Sequence, residues 1–110
     1  MNLKNLTNYY FDLFKKKKLK ELDSFFNKNI ELYDSENLIK GKKNVLNFNK
    51  KFFKAFNLIQ IKILYQAFND KNRISFSYIK VKLGKKSFDI VDLIEFSKNK
   101  KIKKIIAFKR

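Results

Sequence analysis

Apolar residues in the first part of the chain recur three and four positions apart. Leu3, Leu6, Tyr10, Leu13 and Phe14 draw one stripe along a helix. The run Lys15 to Lys18 ends that stripe with cations that suit a helix C-terminus. Leu19, Leu22, Phe25 and Phe26 mark a second, short helix, so the spacing predicts helices over about 2–16 and 18–27. Asn29 to Tyr33 alternates and reads as a short strand ending at Asp34. Asp34-Ser35-Glu36-Asn37 is turn-rich, and Leu38-Ile39 is a further short strand closed by Gly41. Helical spacing returns with Val45, Phe48, Phe52, Phe53 and Phe56.

From Leu58 onward the period is two. Ile59, Ile61, Ile63, Tyr65 and Ala67 alternate with Gln60, Lys62 and Gln66, and Asn69-Asp70-Lys71-Asn72 makes a hairpin connection. A strand from Arg73 to Leu83 follows, its apolar phase shifting at Tyr78-Ile79 as a bulge would cause. Turns at Gly84-Lys85 and Lys98 to Lys101 lead into strands over Phe88 to Phe96 and Ile102 to Phe108. Gly41 and Gly84 mark the tight turns, and Asn is expected to take left-handed backbone elsewhere. Helices first and an antiparallel meander afterwards predict an α+β fold with helices on one face of a sheet.

The length of 110 residues fits one domain spanning 1–110. No apolar run reaches the ~20 residues that span a bilayer, so no membrane partner is expected. Met1-Asn2-Leu3-Lys4-Asn5-Leu6 lacks the features of a secretory signal, which makes the cytoplasm the expected compartment. There is no cysteine and no histidine. Disulfides, thiolate or imidazole metal sites and Ser-His-Asp chemistry are therefore excluded, and no metal or other cofactor is expected. Proton chemistry must come from Asp, Glu, Tyr or Lys. The net charge of +17 invites a nucleic-acid reading. However, only Arg73 and Arg110 supply the guanidinium forks that phosphate and base readers favour, and the abundant Lys, Asn, Ile, Phe and Tyr share AT-rich codons. A solvated basic surface is the plainer reading.

The order of these segments resembles a family. Tyr10-Phe11-Asp12-Leu13-Phe14 with Leu19-Lys20-Glu21-Leu22, then Ile30 to Asp34 with Ile39-Lys40-Gly41-Lys42-Lys43, then Asp89 to Phe96 with Ile102 and Ala107-Phe108, is similar to the nuclear-transport-factor-2-like (NTF2-like) superfamily. Within it, the resemblance is to the ketosteroid isomerase and SnoaL-like cyclase group. It implies a cone: three helices packed in a strongly curved, mainly antiparallel sheet of about six strands, around one apolar pocket. It also implies, for an enzyme of that group, an oxyanion-binding tyrosine at Tyr10, a general-base aspartate at Asp34 and a proton-donating aspartate at Asp92. Departures are visible: Ser35 replaces the usual Pro after the base, and Lys109 stands where an isomerase pocket carries Trp.

Residue by residue, plainer roles compete with these. Asp34 follows a strand, where an Asp side chain commonly satisfies turn backbone. Asp92 shares its parity with Phe88, Ile90, Ile94 and Phe96, so it faces the concave side if they do. Tyr10 lies on the buried stripe and could serve simple packing. Asp12 and Glu95 fall on outward parities. Phe14, Phe48, Phe52, Phe88, Ile90 and Ile105 are the candidate pocket wall. Three readings stay open: a cofactor-free isomerase or related lyase or cyclase acting on a small apolar carbonyl compound, a noncatalytic binder using the same pocket, and an interaction module. A homodimer is expected through the outer sheet face, by way of Leu64, Ile79 or Val81 depending on the bulge.

Overall fold

The computed structural model describes residues 2–110. Helix α1 (Leu3–Lys15) opens on Asn2, whose side-chain oxygen accepts from the Asn5 backbone N–H at 2.8 Å. It buries Leu3, Leu6, Thr7, Tyr10, Phe11 and Leu13. Helix α2 (Leu19–Phe25) follows at once and runs directly into β1 (Phe26–Tyr33). The expected stop of the second helix at 27 therefore comes two residues early, because Phe26 is fully buried as the first residue of the strand. β2 (Leu38–Lys40) is short, and Gly41, at φ 90°, turns the chain into α3 (Lys42–Ala55). Any side chain there would be strained. The long strands β3 (Ile59–Asn69), β4 (Ile74–Leu83), β5 (Lys86–Phe96) and β6 (Ile102–Lys109) complete the chain.

These strands form one six-stranded sheet in the order β2-β1-β6-β5-β4-β3. All neighbours are antiparallel except β1 and β6, which run parallel although they lie far apart in sequence. The helices cover one face. Leu6, Leu22, Phe26, Ile30, Val45, Phe53, Ile79, Ile94, Phe96 and Ile105 fill the space between helices and sheet. Aromatic pairs join the helices to one another and to the sheet: Phe14 on α1 meets Phe53 on α3 edge-on at 5.0 Å between centroids, and Phe25 on α2 meets Phe96 on β5 at 6.2 Å. The three helices and mixed α+β sheet match the architecture that the sequence implies.

Two local expectations are corrected. The bulge lies in β3, where the register against β4 slips between Ile63 and Tyr65, leaving Leu64 unpaired. β4 itself alternates without a break, burying Ser75, Ser77, Ile79 and Val81. The apolar phase shifts in sequence, without a shift in the strand, because inward Ser75 and Ser77 are polar while outward Phe76 and Tyr78 are aromatic. As a result Ile79 and Val81 belong to the core, not to the outer face. The second correction concerns left-handed backbone, which falls on Lys17, Arg73 and Lys100 rather than on Asn. The asparagines hold these turns through their side chains instead: Asn69 Oδ1 accepts from the Asn72 backbone N–H at 3.0 Å, and Asn99 bonds Ser97.

Candidate functional site

Between the helices and the sheet lies a cavity of about 180 Å³. α1 contributes Tyr10, Phe11 and Phe14; α3 contributes Phe48, Asn49 and Phe52. β3, β4, β5 and β6 add Ile61, Ile79, Val81, Ile90, Ile105 and Ala107. Leu32 from β1, Asp34 just beyond that strand and Asp92 from β5 complete the lining. The wall is almost wholly apolar, with a few oxygen and nitrogen groups set in it. Pockets for small molecules have this character.

Asp92 reaches the cavity because strand parity puts it on the face of Ile90, Ile94 and Phe96. Ser77 stands across from it on β4 and Ala107 on β6. The residue is only 8% exposed. Burial in these apolar surroundings disfavours the carboxylate and pushes the pKa up from 3.8 to about 7. Tyr10 is raised far above the ordinary phenol value, first by burial and then by the charge of Asp92. Both groups are thereby biased toward their protonated, hydrogen-bond-donating forms.

Asp34 is different. Its Oδ1 accepts from the backbone N–H of Glu36 at 2.8 Å, the backbone N–H of Asn37 at 2.7 Å and Asn37 Nδ2 at 3.1 Å, and its Oδ2 accepts from Asn37 Nδ2 at 3.1 Å. The carboxylate thus holds the β1–β2 turn while lining the cavity, and it also borders a hollow on the outside with Ser35, Phe108 and Lys109.

Of the wall positions read from sequence, Phe14, Phe48, Phe52, Ile90 and Ile105 line the cavity. Phe88 does not. It lies two residues before Ile90, near the start of β5, where the Lys109 ammonium sits 4.4 Å from its ring centroid. The outward acids make surface ion pairs: Asp12 with Lys16 at 3.1 Å and Glu95 with Lys103 at 2.9 Å.

Asn49 escaped the sequence reading because a polar residue on a helix is ordinarily taken as solvated. Its spacing was the available signal, since Val45, Asn49 and Phe53 are four apart and form the buried line of α3. Among the described residues no group of three or more His, Cys, Asp or Glu side chains is placed to hold a metal ion. No described helix is long and apolar enough to cross a membrane.

No family model matches the chain, and no curated protein matches it in sequence. Solved structures do match. A provisionally assigned ketosteroid isomerase from Kribbella flavida has a TM-score of 0.86 at 14% identity, over 98% of this chain and 77% of that one. The epoxide hydrolase/cyclase-like enzyme SalBIII, of pyran ring formation in the polyether salinomycin, has a TM-score of 0.86 at 11% identity, over 98% and 90%. An NTF2-like protein of unknown function from Cytophaga hutchinsonii has a TM-score of 0.84 at 9% identity, over 100% and 91%. Helices, sheet and cavity together make this an NTF2-like cone, the fold it shares with ketosteroid isomerase-like and SnoaL-like proteins.

Proposed function

We propose that this chain is a cofactor-free isomerase or related lyase acting on a small, mostly apolar carbonyl compound. One observation carries the reading. Tyr10 and Asp92, both buried and both biased toward the protonated form, line the same apolar cavity as a carboxylate, Asp34. In this scheme Asp34 removes a proton from the carbon beside the carbonyl. The electron pair moves onto oxygen, and the enolate accepts hydrogen bonds from the Tyr10 hydroxyl and the Asp92 carboxyl. Asp34 then returns the proton to the far carbon of the conjugated system, so a β,γ-enone becomes an α,β-enone with no net loss or gain. The four hydrogen bonds on Asp34 fix its position and leave Oδ2 the less engaged oxygen.

Cavity size bounds the substrate. An apolar cavity of ~150 Å³ accepts benzene, so about 180 Å³ suits a single ring better than a fused ring system. Cyclohex-3-en-1-one is therefore the test substrate, its conversion to cyclohex-2-en-1-one followed by ultraviolet absorbance. Asp34→Asn retains an acceptor for the turn donors and removes the base. Turnover by the native protein that Asp34→Asn abolishes supports the proposal, and native rates equal to buffer sink it.

A second reading, a noncatalytic binder, is favoured by the same bonds on Asp34, which suffice to explain that residue as a turn-holding group. Binding of cyclohexenones without turnover would establish it.

A further inference from the structure

The buried line of α3 runs Val45, Asn49, Phe53. Two of these are apolar and one is a carboxamide. Asn49 is 4% exposed and lines the cavity between Phe48 and Phe52. Its Nδ2 is the one fully buried side-chain polar atom without a hydrogen-bond partner among the described residues. An unpaired buried amide costs stability, and a leucine of the same branching would fill the position without that cost. Packing alone gives no account of a carboxamide at this position of the cavity wall.

We propose that Asn49 is a ligand-orienting residue that donates a hydrogen bond to a second oxygen of the bound compound. The inference rests on the cavity being a ligand site, as proposed above. A half-turn about the terminal torsion of Asn49 exchanges the two ends of its amide, so the donor can be presented to the cavity without moving the helix. Tyr10 and Asp92 on α1 and β5 hold one oxygen, and Asn49 on α3 holds the other. A ring held at one point can spin about it. A ring held at two presents one chosen face and one chosen carbon to Asp34. The compound class is accordingly a single ring carrying a carbonyl and a second acceptor oxygen, either ketone or hydroxyl.

Cyclohexanone and cyclohexane-1,4-dione separate the alternatives, titrated by nuclear magnetic resonance into the native protein and Asn49→Leu. The native protein is expected to prefer the dione by about five- to tenfold, above the statistical factor of ~2 for two equivalent carbonyls. Asn49→Leu is expected to bring the dione-to-cyclohexanone affinity ratio down to the statistical factor of ~2 and to raise the melting temperature. Should the leucine variant fail to fold, Asn49→Ala supports the same comparison of two probes within one protein. Equal native affinities, or a loss that falls on both probes alike, overturn the proposal while the pocket reading stands. Binding of neither probe overturns both together.

Discussion

The Tyr10 hydroxyl and the Asp92 carboxyl approach one cavity from different layers, helix and sheet, and the charge of Asp92 adds to burial in raising the phenol's pKa. Neither is an ordinary core residue. Each carries an ionisable group into apolar surroundings, and each is biased there toward keeping its proton.

Asp92 should make the fold less stable as pH rises. Its folded pKa of about 7 exceeds the ordinary 3.8. Below 3.8 folded and unfolded chains both hold the proton, between 3.8 and about 7 only the folded chain does, and above that neither does. The stabilising contribution is therefore complete at low pH and is lost as pH climbs to about 7. Its full size is on the order of 4 kcal/mol. Asp92→Asn should remove this dependence, so the gap between the two proteins in urea unfolding should widen from pH 4 to 7 and then level. Curves that stay parallel would show that Asp92 is charged throughout.

If the isomerase reading holds, turnover of cyclohex-3-en-1-one should fall as pH rises through about 7, where Asp92 loses the proton it donates. Tyr10→Phe should cost ~100- to 1000-fold in kcat, as loss of an oxyanion donor does elsewhere. Asp92→Asn should be slower than native and lack the alkaline fall. A fall that persists in Asp92→Asn would assign it to another group.

The outer face of the sheet should pair with a second copy, as proposed from sequence but through other residues. Tyr65 is 75% exposed, Phe108 55% and Phe76 40%. Tyr65 stacks on Tyr78, with centroids 6.3 Å apart, and Tyr78, Val91 and Phe108 follow one another across three strands. The opposing force is repulsion between protomers of +17 each, which a Debye length of ~8 Å at physiological ionic strength largely screens. Sedimentation should show dimer at 500 mM NaCl and a shift toward monomer at 20 mM, with Phe108→Lys monomeric throughout. A native protein monomeric at both salts and tens of micromolar protein would reject the pairing.

Thr7 and Ser75 should behave as one unit. Both are fully buried, and the Thr7 hydroxyl donates to Ser75 Oγ at 2.8 Å, tying α1 to β4. Thr7→Val should cost about 1–3 kcal/mol by leaving a hydroxyl unpaired. Adding Ser75→Ala should recover part of that loss, giving a non-additive double-mutant cycle by chemical denaturation. Strict additivity would mean the bond contributes nothing.

Periodicity made the element order legible, and shared parity with Phe88, Ile90, Ile94 and Phe96 gave the inward direction of Asp92, from which burial alternates along β5 to Phe96. The outer face was not legible. Leu64 inserts one unpaired residue into β3, and Ser75 and Ser77 are polar residues facing inward on β4, so local hydrophobicity points the wrong way for half of that hairpin. Asn49 was hidden for a related reason: side-chain polarity says nothing about burial where a ligand or partner supplies the hydrogen bond. Phe88 obeys the parity rule yet misses the cavity, since parity fixes a face and not a height along the strand.

The parallel pairing of β1 with β6 also bears on how the chain comes into being. A ribosome releases Phe26 to Tyr33 long before Ile102 to Lys109, the strand that β1 lies beside. Until then β1 has only the three-residue β2 for company, and the helices made first have no completed sheet to close on. Contacts so distant in sequence carry a large entropic delay. Vectorial synthesis therefore leaves the aromatic N-terminal half waiting with its apolar stripes uncovered, and the cavity cannot exist before the last strand emerges. Truncation within the final eight residues of sheet would be expected to strand nascent chains with chaperones rather than yield a smaller, working cone.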